Sequence, residues 1–202
     1  MKPRLSIQQK ITAFTNMYRI FDVSEVGEPT TLHAFAQQKR LAFKEKVTFY
    51  SDEQKTQEVF TFRAEKVLDV HGRYIVEDSN AICIGMFKKE FKKSLLNSTW
   101  NVMDAEGNTV FLVKESNQYL ALARRFIGVL PLVGDLLELA TDFMKYHFVF
   151  IDSTTHENVG MYQKTTLFRD HYTLSMTDDA FSKVDWRVLA AMGVGLDALQ
   201  SR

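Results

Sequence analysis

The stretch VDWRVLAAMGVGLDAL, residues Val184 to Leu199, decides how the rest of the chain must fold. Its only charged residues are Asp185, Arg187 and Asp197. A helix on a protein surface carries charges opposite its apolar stripe, whereas a helix that is apolar all round is buried on every side or lies in a membrane. The stretch is shorter than the ~20 residues that a membrane-spanning helix needs. It therefore predicts a helix that the protein itself encloses.

The composition favours one globular domain over residues 1–202. The chain is 46% hydrophobic, which is enough for a large core, and its 25 basic and 25 acidic residues give a net charge of zero. Without an overall positive field, the chain offers no general attraction to nucleic acid. The single cysteine, Cys83, cannot form an internal disulfide, and the N-terminal residues lack the apolar core of a signal peptide. We therefore expect a cytoplasmic protein, peripheral to a membrane if it binds lipid, and no nucleic-acid partner.

A short pattern occurs four times: an aromatic residue, any residue, an apolar residue, any residue and then aspartate. Alternate residues of a strand share one face, and the polar residues after each aspartate favour a turn that leads into a returning apolar run. Each copy therefore predicts an antiparallel hairpin. The copies are YRIFD (Tyr18 to Asp22), YIVED (Tyr74 to Asp78), WNVMD (Trp100 to Asp104) and FVFID (Phe148 to Asp152).

The aspartates of this pattern favour turn formation over calcium binding. An aspartate at the start of a turn usually accepts hydrogen bonds from the backbone amides that follow it. No copy continues into the oxygen-rich loop of an EF-hand. Two of the returning strands are similar, GMFKK from Gly85 and GMYQK from Gly160, which suggests two related halves.

Further alternating segments add to these hairpins and predict an all-β domain. They are KVTFYS from Lys46, EVFTFRAE from Glu58, KVLDV from Lys66 and HYTLSMT from His171. Ten or more antiparallel strands would close into a barrel whose interior side chains alone cannot fill. The C-terminal helix, slim at its alanines and glycines, fits this interior. The sequence predicts a mainly β fold, a closed antiparallel β-barrel around a buried hydrophobic C-terminal helix.

Three segments together resemble the LURP-one-related family, which is related to the tubby C-terminal domain and to phospholipid scramblases. They are residues 74–115, residues 148–164 and the apolar helix that follows SKVDWR. The resemblance implies a barrel of about a dozen strands wrapped around a C-terminal helix. Tubby relatives bind phosphoinositides, which favours lipid binding, although their basic contact residues cannot be aligned here. The Pro-rich arm, cysteine cluster and acidic calcium segment of scramblases are absent, so scramblase activity is not implied.

The sequence predicts a helical insertion between the hairpins at about residues 118–146. QYLALARRFIGVLPLVGDLLELATDFMKY predicts two helices broken at Pro131. Its tip is unusually apolar for a connection, which favours packing over the barrel, with membrane-surface insertion or a homodimer contact as alternatives. The candidate interaction residues at the tip are Phe126, Ile127, Leu130 and Leu132. Beside them, Arg124 and Arg125 suit a phosphate or a neighbouring carboxylate.

The segment FKKEFKKS holds four lysines in six residues: Lys88, Lys89, Lys92 and Lys93. Such a cluster attracts anionic headgroups by roughly 1 kcal/mol per basic residue near the surface. Lysines of this kind also occur on solvated loops and block the pairing of edge strands. The four lysines, with Arg124 and Arg125, are the candidate lipid-binding residues.

The sequence predicts no catalytic residues, no metal site and no cofactor. The five histidines are scattered, and the motifs HExxH, CxxC and GxSxG do not occur. Cys83 lies on an apolar strand, where a free cysteine usually packs as a small core residue. We expect a non-catalytic scaffold or binding domain for anionic lipid headgroups or a membrane surface. The alternative is a protein-interaction module that dimerises through the helical insertion.

Overall fold

In the structure, a computed structural model, the described residues form twelve strands and two C-terminal helices. The structure describes residues 1–12, 15–39, 46–65, 72–90, 99–115, 147–166 and 170–200. The strands are β1 (Lys2–Ile11), β2 (Thr15–Val23), β3 (Pro29–Lys39), β4 (Lys46–Tyr50), β5 (Glu58–Ala64), β6 (Arg73–Asp78), β7 (Cys83–Glu90), β8 (Thr99–Met103), β9 (Thr109–Glu115), β10 (His147–Asp152), β11 (Asn158–Lys164) and β12 (Asp170–Met176). The helices are α1 (Asp178–Ser182) and α2 (Trp186–Gln200).

The strands form one closed antiparallel barrel in which neighbours in space are neighbours along the chain. The first and last strands close it: Leu5 of β1 pairs with Leu174 of β12, and Ile7 pairs with Tyr172. These four side chains are buried. Closure therefore satisfies the backbone groups of both edge strands and adds apolar contacts across the seam.

Alternation along each strand sends every second side chain inward. On β5, for example, Phe60 and Phe62 are buried, and on β9 Phe111 and Val113 are buried. Phe49 of β4 stacks on Phe60 with ring centroids 4.4 Å apart. The inner face is thus lined by aromatic and β-branched side chains that belong to a single core cluster.

Helix α2 contributes its apolar residues to the same core cluster. Its side chains with at most 1% exposure are Val188, Leu189, Ala190, Ala191, Met192, Val194 and Leu196. Gly85 of β7 gives the helix room, because a Cβ at that position would lie 2.7 Å from Val188 Cγ2. Gly193 does the same from the helix, where a Cβ would lie 2.6 Å from Ile7 Cδ1. Two glycines, one on the wall and one on the helix, thus permit this close approach.

The structure confirms the prediction of a closed antiparallel barrel of about a dozen strands. All four aspartate-ended segments form hairpins, β2–β3, β6–β7, β8–β9 and β10–β11. The predicted strand KVLDV, residues 66–70, and the helical insertion predicted at 118–146 lie outside the described residues. Among the described helices, none has the length and apolarity needed to cross a bilayer.

Candidate functional site

The barrel has two chemically different ends, because its connections alternate between them. One end, here called the aspartate end, holds the five tight turns after β2, β4, β6, β8 and β10, together with the start of β1 and the segment after β12. Its residues are 1–4, 22–29, 50–58, 78–83, 104–109, 152–158 and 176–187. The other end, called the lysine end, is where β1 joins β2, β7 leads to β8 and β9 leads to β10.

Aspartate side chains close the turns at the aspartate end by accepting backbone hydrogen bonds. Asp78 Oδ1 accepts from the amides of Asn80 at 2.8 Å and Ile82 at 2.9 Å. Asp104 Oδ1 accepts from the amide of Asn108 at 2.8 Å, and its Oδ2 accepts from the Asn108 side chain at 3.0 Å. The predicted turn chemistry is therefore present in these hairpins.

A further turn of this kind joins β4 to β5 and escaped the sequence pattern. Asp52 Oδ1 accepts from the amide of Thr56 at 3.3 Å, and the Thr56 hydroxyl also donates to the Asp52 carboxylate. The pattern missed it because Thr48 occupies the position where an aromatic residue was required. The polar run after Tyr50 was the signal that could have found it.

Asp22 is the exception among the four predicted aspartates. Its carboxylate lies 2.6 Å from His33 Nε2 on the neighbouring strand. In this turn Ser24 provides the side-chain acceptor instead: its hydroxyl accepts from the amide of Glu28 at 3.2 Å. His33 also packs on Trp186 at the start of α2, with ring centroids 5.1 Å apart.

Asp152 ties the β10–β11 turn to the segment between the two helices. Its Oδ1 accepts from the amides of Thr154 and Thr155 at 2.8 and 3.0 Å, and its Oδ2 accepts from Lys183 Nζ at 2.8 Å. The Lys183 hydrogen bond, followed by the two amides, lowers the pKa of Asp152 to about 2. Asp152 is buried, so it remains a carboxylate whose charge is matched by Lys183.

The start of β1 and the start of α1 are joined by ion pairs. Lys2 Nζ lies 2.8 Å from Asp178 Oδ1, and Arg4 donates to the same oxygen. The hydrogen bond from Lys2, and then that from Arg4, lower the pKa of Asp178 to about 2. These contacts link the first residues of β1 to the segment that follows β12.

Arg187 anchors the first turn of α2 at the same end. Its Nη2 lies 2.7 Å from Asp185 Oδ2, and its Nη1 donates to the Val59 carbonyl at 3.5 Å. Burial opposes ionisation of Asp185, but the hydrogen bonds with Arg187 lower the pKa of Asp185 below its usual value. Arg187 therefore links the first turn of α2 to Val59 of β5 and to Asp185.

The two ends differ strongly in charge. The aspartate end carries fourteen acidic and five basic side chains, a net −9, and because the whole chain sums to zero the remainder carries +9. The acidic residues of the aspartate end are Asp22, Glu25, Glu28, Asp52, Glu53, Glu58, Asp78, Asp104, Glu106, Asp152, Glu157, Asp178, Asp179 and Asp185, and the basic residues are Lys2, Arg4, Lys55, Lys183 and Arg187.

The predicted lysine cluster is divided by the barrel wall. Lys88 and Lys89 both lie at the lysine end of β7, but neighbouring residues of a strand face opposite sides. Lys89 shares the inward parity of Phe87, and its Nζ lies 5.5 Å from the ring centroid of buried Trp100, which suits a cation–π contact. Lys88 points outward, so it is the described member of the cluster that faces the surroundings.

The other candidate residues lie outside the described residues. They are Lys92, Lys93, Arg124, Arg125, Phe126, Ile127, Leu130 and Leu132. Both of the segments that contain them connect strands at the lysine end, 91–98 between β7 and β8 and 116–146 between β9 and β10. Among the described residues, no group of three or more His, Cys, Asp and Glu side chains is placed to hold a metal ion.

A family model described as LURP-one-related matches residues 32–197, which is most of the chain. Neither the search of curated proteins nor the search of solved structures found a match.

Proposed function

The chain belongs to the LURP-one-related family, and from this premise we propose that it is a non-catalytic binding domain for anionic lipid headgroups at a membrane surface. One observation carries the proposal: a chain of zero net charge is divided into an aspartate end of −9 and a remainder of +9. The composition alone does not reveal this separation, because the two charges cancel. The residues outside the aspartate end would then supply the positive field that an anionic surface attracts.

The lysine cluster would make the first contact. Basic residues near an anionic bilayer gain roughly 1 kcal/mol each, so Lys88, Lys92 and Lys93 together would contribute about 3 kcal/mol. That corresponds to a partition coefficient raised by about two orders of magnitude, and it would fade as salt screens the charges. Lys89 would contribute less, since its ammonium already lies against Trp100.

A non-catalytic role agrees with the state of the carboxylates. Those of Asp52, Asp78, Asp104 and Asp152 bind amides, hydroxyls or ammonium groups that lower their pKa values. A carboxylate with a lowered pKa is a poor general base near neutral pH. The aspartate end is therefore better suited to hold turns in place than to move protons.

Helix α2 would supply the rigidity that such a scaffold needs. In our proposal it is the central core around which the twelve strands are wrapped, because its buried side chains and those of the wall form one cluster. A densely packed interior resists deformation, so charges on the outside of the barrel would keep fixed positions. The domain would then present one stable surface rather than adapt to each partner.

Vesicle flotation tests the proposal. The protein should float with phosphatidylcholine vesicles only when phosphatidylserine is added, and raised salt should release it. Lys88→Gln/Lys92→Gln should weaken binding about tenfold or more, whereas Lys2→Gln/Lys55→Gln, which removes the same charge from the aspartate end, should not. Absence of any anionic-vesicle binding by the wild type would refute lipid binding, and a salt-insensitive dimer would support the protein-interaction alternative instead.

A further inference from the structure

We propose that the barrel docks end-on, with its lysine end against the anionic bilayer, its axis close to the membrane normal and its aspartate end pointing away. The inference rests on the proposed function and adds the orientation in which it is carried out. It follows from where the described cations lie around the barrel.

The outward cations of the lysine end are spread around the whole circumference. Because the strands follow one another in chain order around the barrel, Lys10 on β1, Lys46 on β4, Lys88 on β7 and Lys114 on β9 lie about three strands apart. Lys10, Lys46 and Lys114 are exposed. No side face of a twelve-stranded barrel can present all four cations together. They share only the end of the barrel.

Distance along the barrel separates the opposing charges. A seven-residue strand such as β9 is ~23 Å long, and with the usual barrel tilt it spans roughly 17 Å along the axis. This is about two Debye lengths at physiological salt. In the end-on orientation the carboxylates of the aspartate end are therefore largely screened from the bilayer. In a side-on orientation carboxylates of that end would come within one Debye length and be repelled.

The aspartate end keeps its charge under the conditions in which a bilayer is anionic. Hydrogen bonds within the turns lower the pKa values of Asp52, Asp78 and Asp104, each with its strongest donor close by in the same turn. These carboxylates therefore remain ionised at neutral and mildly acidic pH. In an inverted orientation the aspartate end would face the bilayer and be repelled by it. A small change in pH does not remove this repulsion.

Charge-matched variants test the inference at sites far from the Lys88 to Lys93 cluster. Lys10→Gln/Lys114→Gln should weaken flotation with phosphatidylserine-containing vesicles several-fold, because both lysines would lie at the contact plane. Lys2→Gln/Lys55→Gln removes two charges from the opposite end and should leave binding unchanged. If the first pair has no effect while Lys88→Gln/Lys92→Gln does, docking occurs through one side and the end-on model is wrong.

A fluorescent label measures the orientation directly. In a Cys83→Ser background, Lys114→Cys and Lys55→Cys place one thiol at each end and remove one positive charge in both cases. Each would be labelled with a nitrobenzoxadiazole dye and bound to vesicles that contain a headgroup quencher. We expect strong quenching at position 114 and little at position 55. Equal quenching at both positions, or stronger quenching at 55, in a protein that still floats would overturn end-on docking and leave lipid binding standing. No flotation by the wild type would overturn both.

Discussion

Removal of helix α2 should abolish the folded state of the whole barrel. Truncation after Ser182 deletes Val188, Leu189, Met192, Val194 and Leu196, which are buried to 1% exposure or less. Burial of one such side chain stabilises a fold by about 1.5–3 kcal/mol, so these five contribute roughly 8–15 kcal/mol. A protein of this size has a total stability of ~5–15 kcal/mol. The loss is therefore comparable to the entire free energy of unfolding.

Point substitutions separate the contribution of packing from that of chain length. Leu189→Ala should lower the free energy of unfolding by about 2–5 kcal/mol, because it leaves a cavity in a packed interior. Leu189→Asp should do more, since it adds an unpaired carboxylate to the same apolar surroundings. Val26→Asp is the control, because that side chain is 83% exposed in a turn and should be almost neutral.

The assay is a urea melt followed by near-ultraviolet circular dichroism, together with the solubility of the truncated chain. We expect the truncated chain to be insoluble, or soluble without a cooperative transition and without near-ultraviolet signal. A soluble truncated chain that melts cooperatively would show that the strands form their core without α2. It would refute both the burial argument and the proposed rigid scaffold.

Other positions give further tests. Gly85→Ala should cost about 1–3 kcal/mol of stability, because its Cβ would meet Val188 Cγ2 at 2.7 Å and the Met103 carbonyl at 2.8 Å. Gly107→Ala is the control for backbone strain, because Gly107 also has a positive φ but its Cβ would meet only Met86 Cε, at an ordinary contact distance of 3.8 Å. Asp152→Asn should cost roughly 1–3 kcal/mol, since it removes the buried one of the two carboxylates, Asp152 and Asp179, that pair with the Lys183 ammonium. Because the folded pKa of Asp152 is about 2 against an ordinary 3.8, its stabilisation should be complete above about pH 5 and decline as the pH falls towards 2. An acid melt of Asp152→Asn that declines as steeply as the wild type would count against this assignment.

The hairpins could be predicted from sequence because their determinants are local. An aspartate, the amides it binds and the two paired strands lie within about twenty residues, as in the Asp78 and Asp104 turns. The pattern nevertheless excluded Asp52, because it required an aromatic residue four positions before the aspartate. The turn at Asp52 depends on Thr56 and not on that earlier residue. The number of hairpins, together with strand order, then gives the closed barrel.

Contacts between distant segments could not be predicted in the same way. The alternation rule already implied that Lys88 and Lys89 face opposite sides, but only the structure reveals Trp100 beneath Lys89. Likewise, Gly85 is explained by Val188, about one hundred residues later, and Gly193 by Ile7 at the other end of the chain. Pairings of this kind depend on barrel closure and on the path of α2.

The aspartates that form the turns also produce the charge separation between the two ends of the barrel. An up-and-down barrel places every second turn at the same end, so a preference for aspartate in those turns makes that end negative. In a chain of zero net charge the balancing cations must then lie elsewhere. Asparagine separates the effect on the turn from the effect on charge, because its side-chain oxygen accepts the backbone amide hydrogen bonds made to Oδ1 of Asp78 and of Asp104 without the charge.

Asp78→Asn/Asp104→Asn should therefore retain the backbone hydrogen bonds of both turns, both hairpins and a cooperative melt while it raises the charge of the aspartate end from −9 to −7. In vesicle-bound protein labelled at position 55, headgroup quenching should increase, because repulsion of that end from the bilayer is weaker. Lys88→Gln in the same labelled protein should reduce binding without this change in orientation. If the asparagine variant binds with quenching identical to the wild type, the carboxylates of the turns serve folding alone, and the orientation of the barrel must be set by its cations.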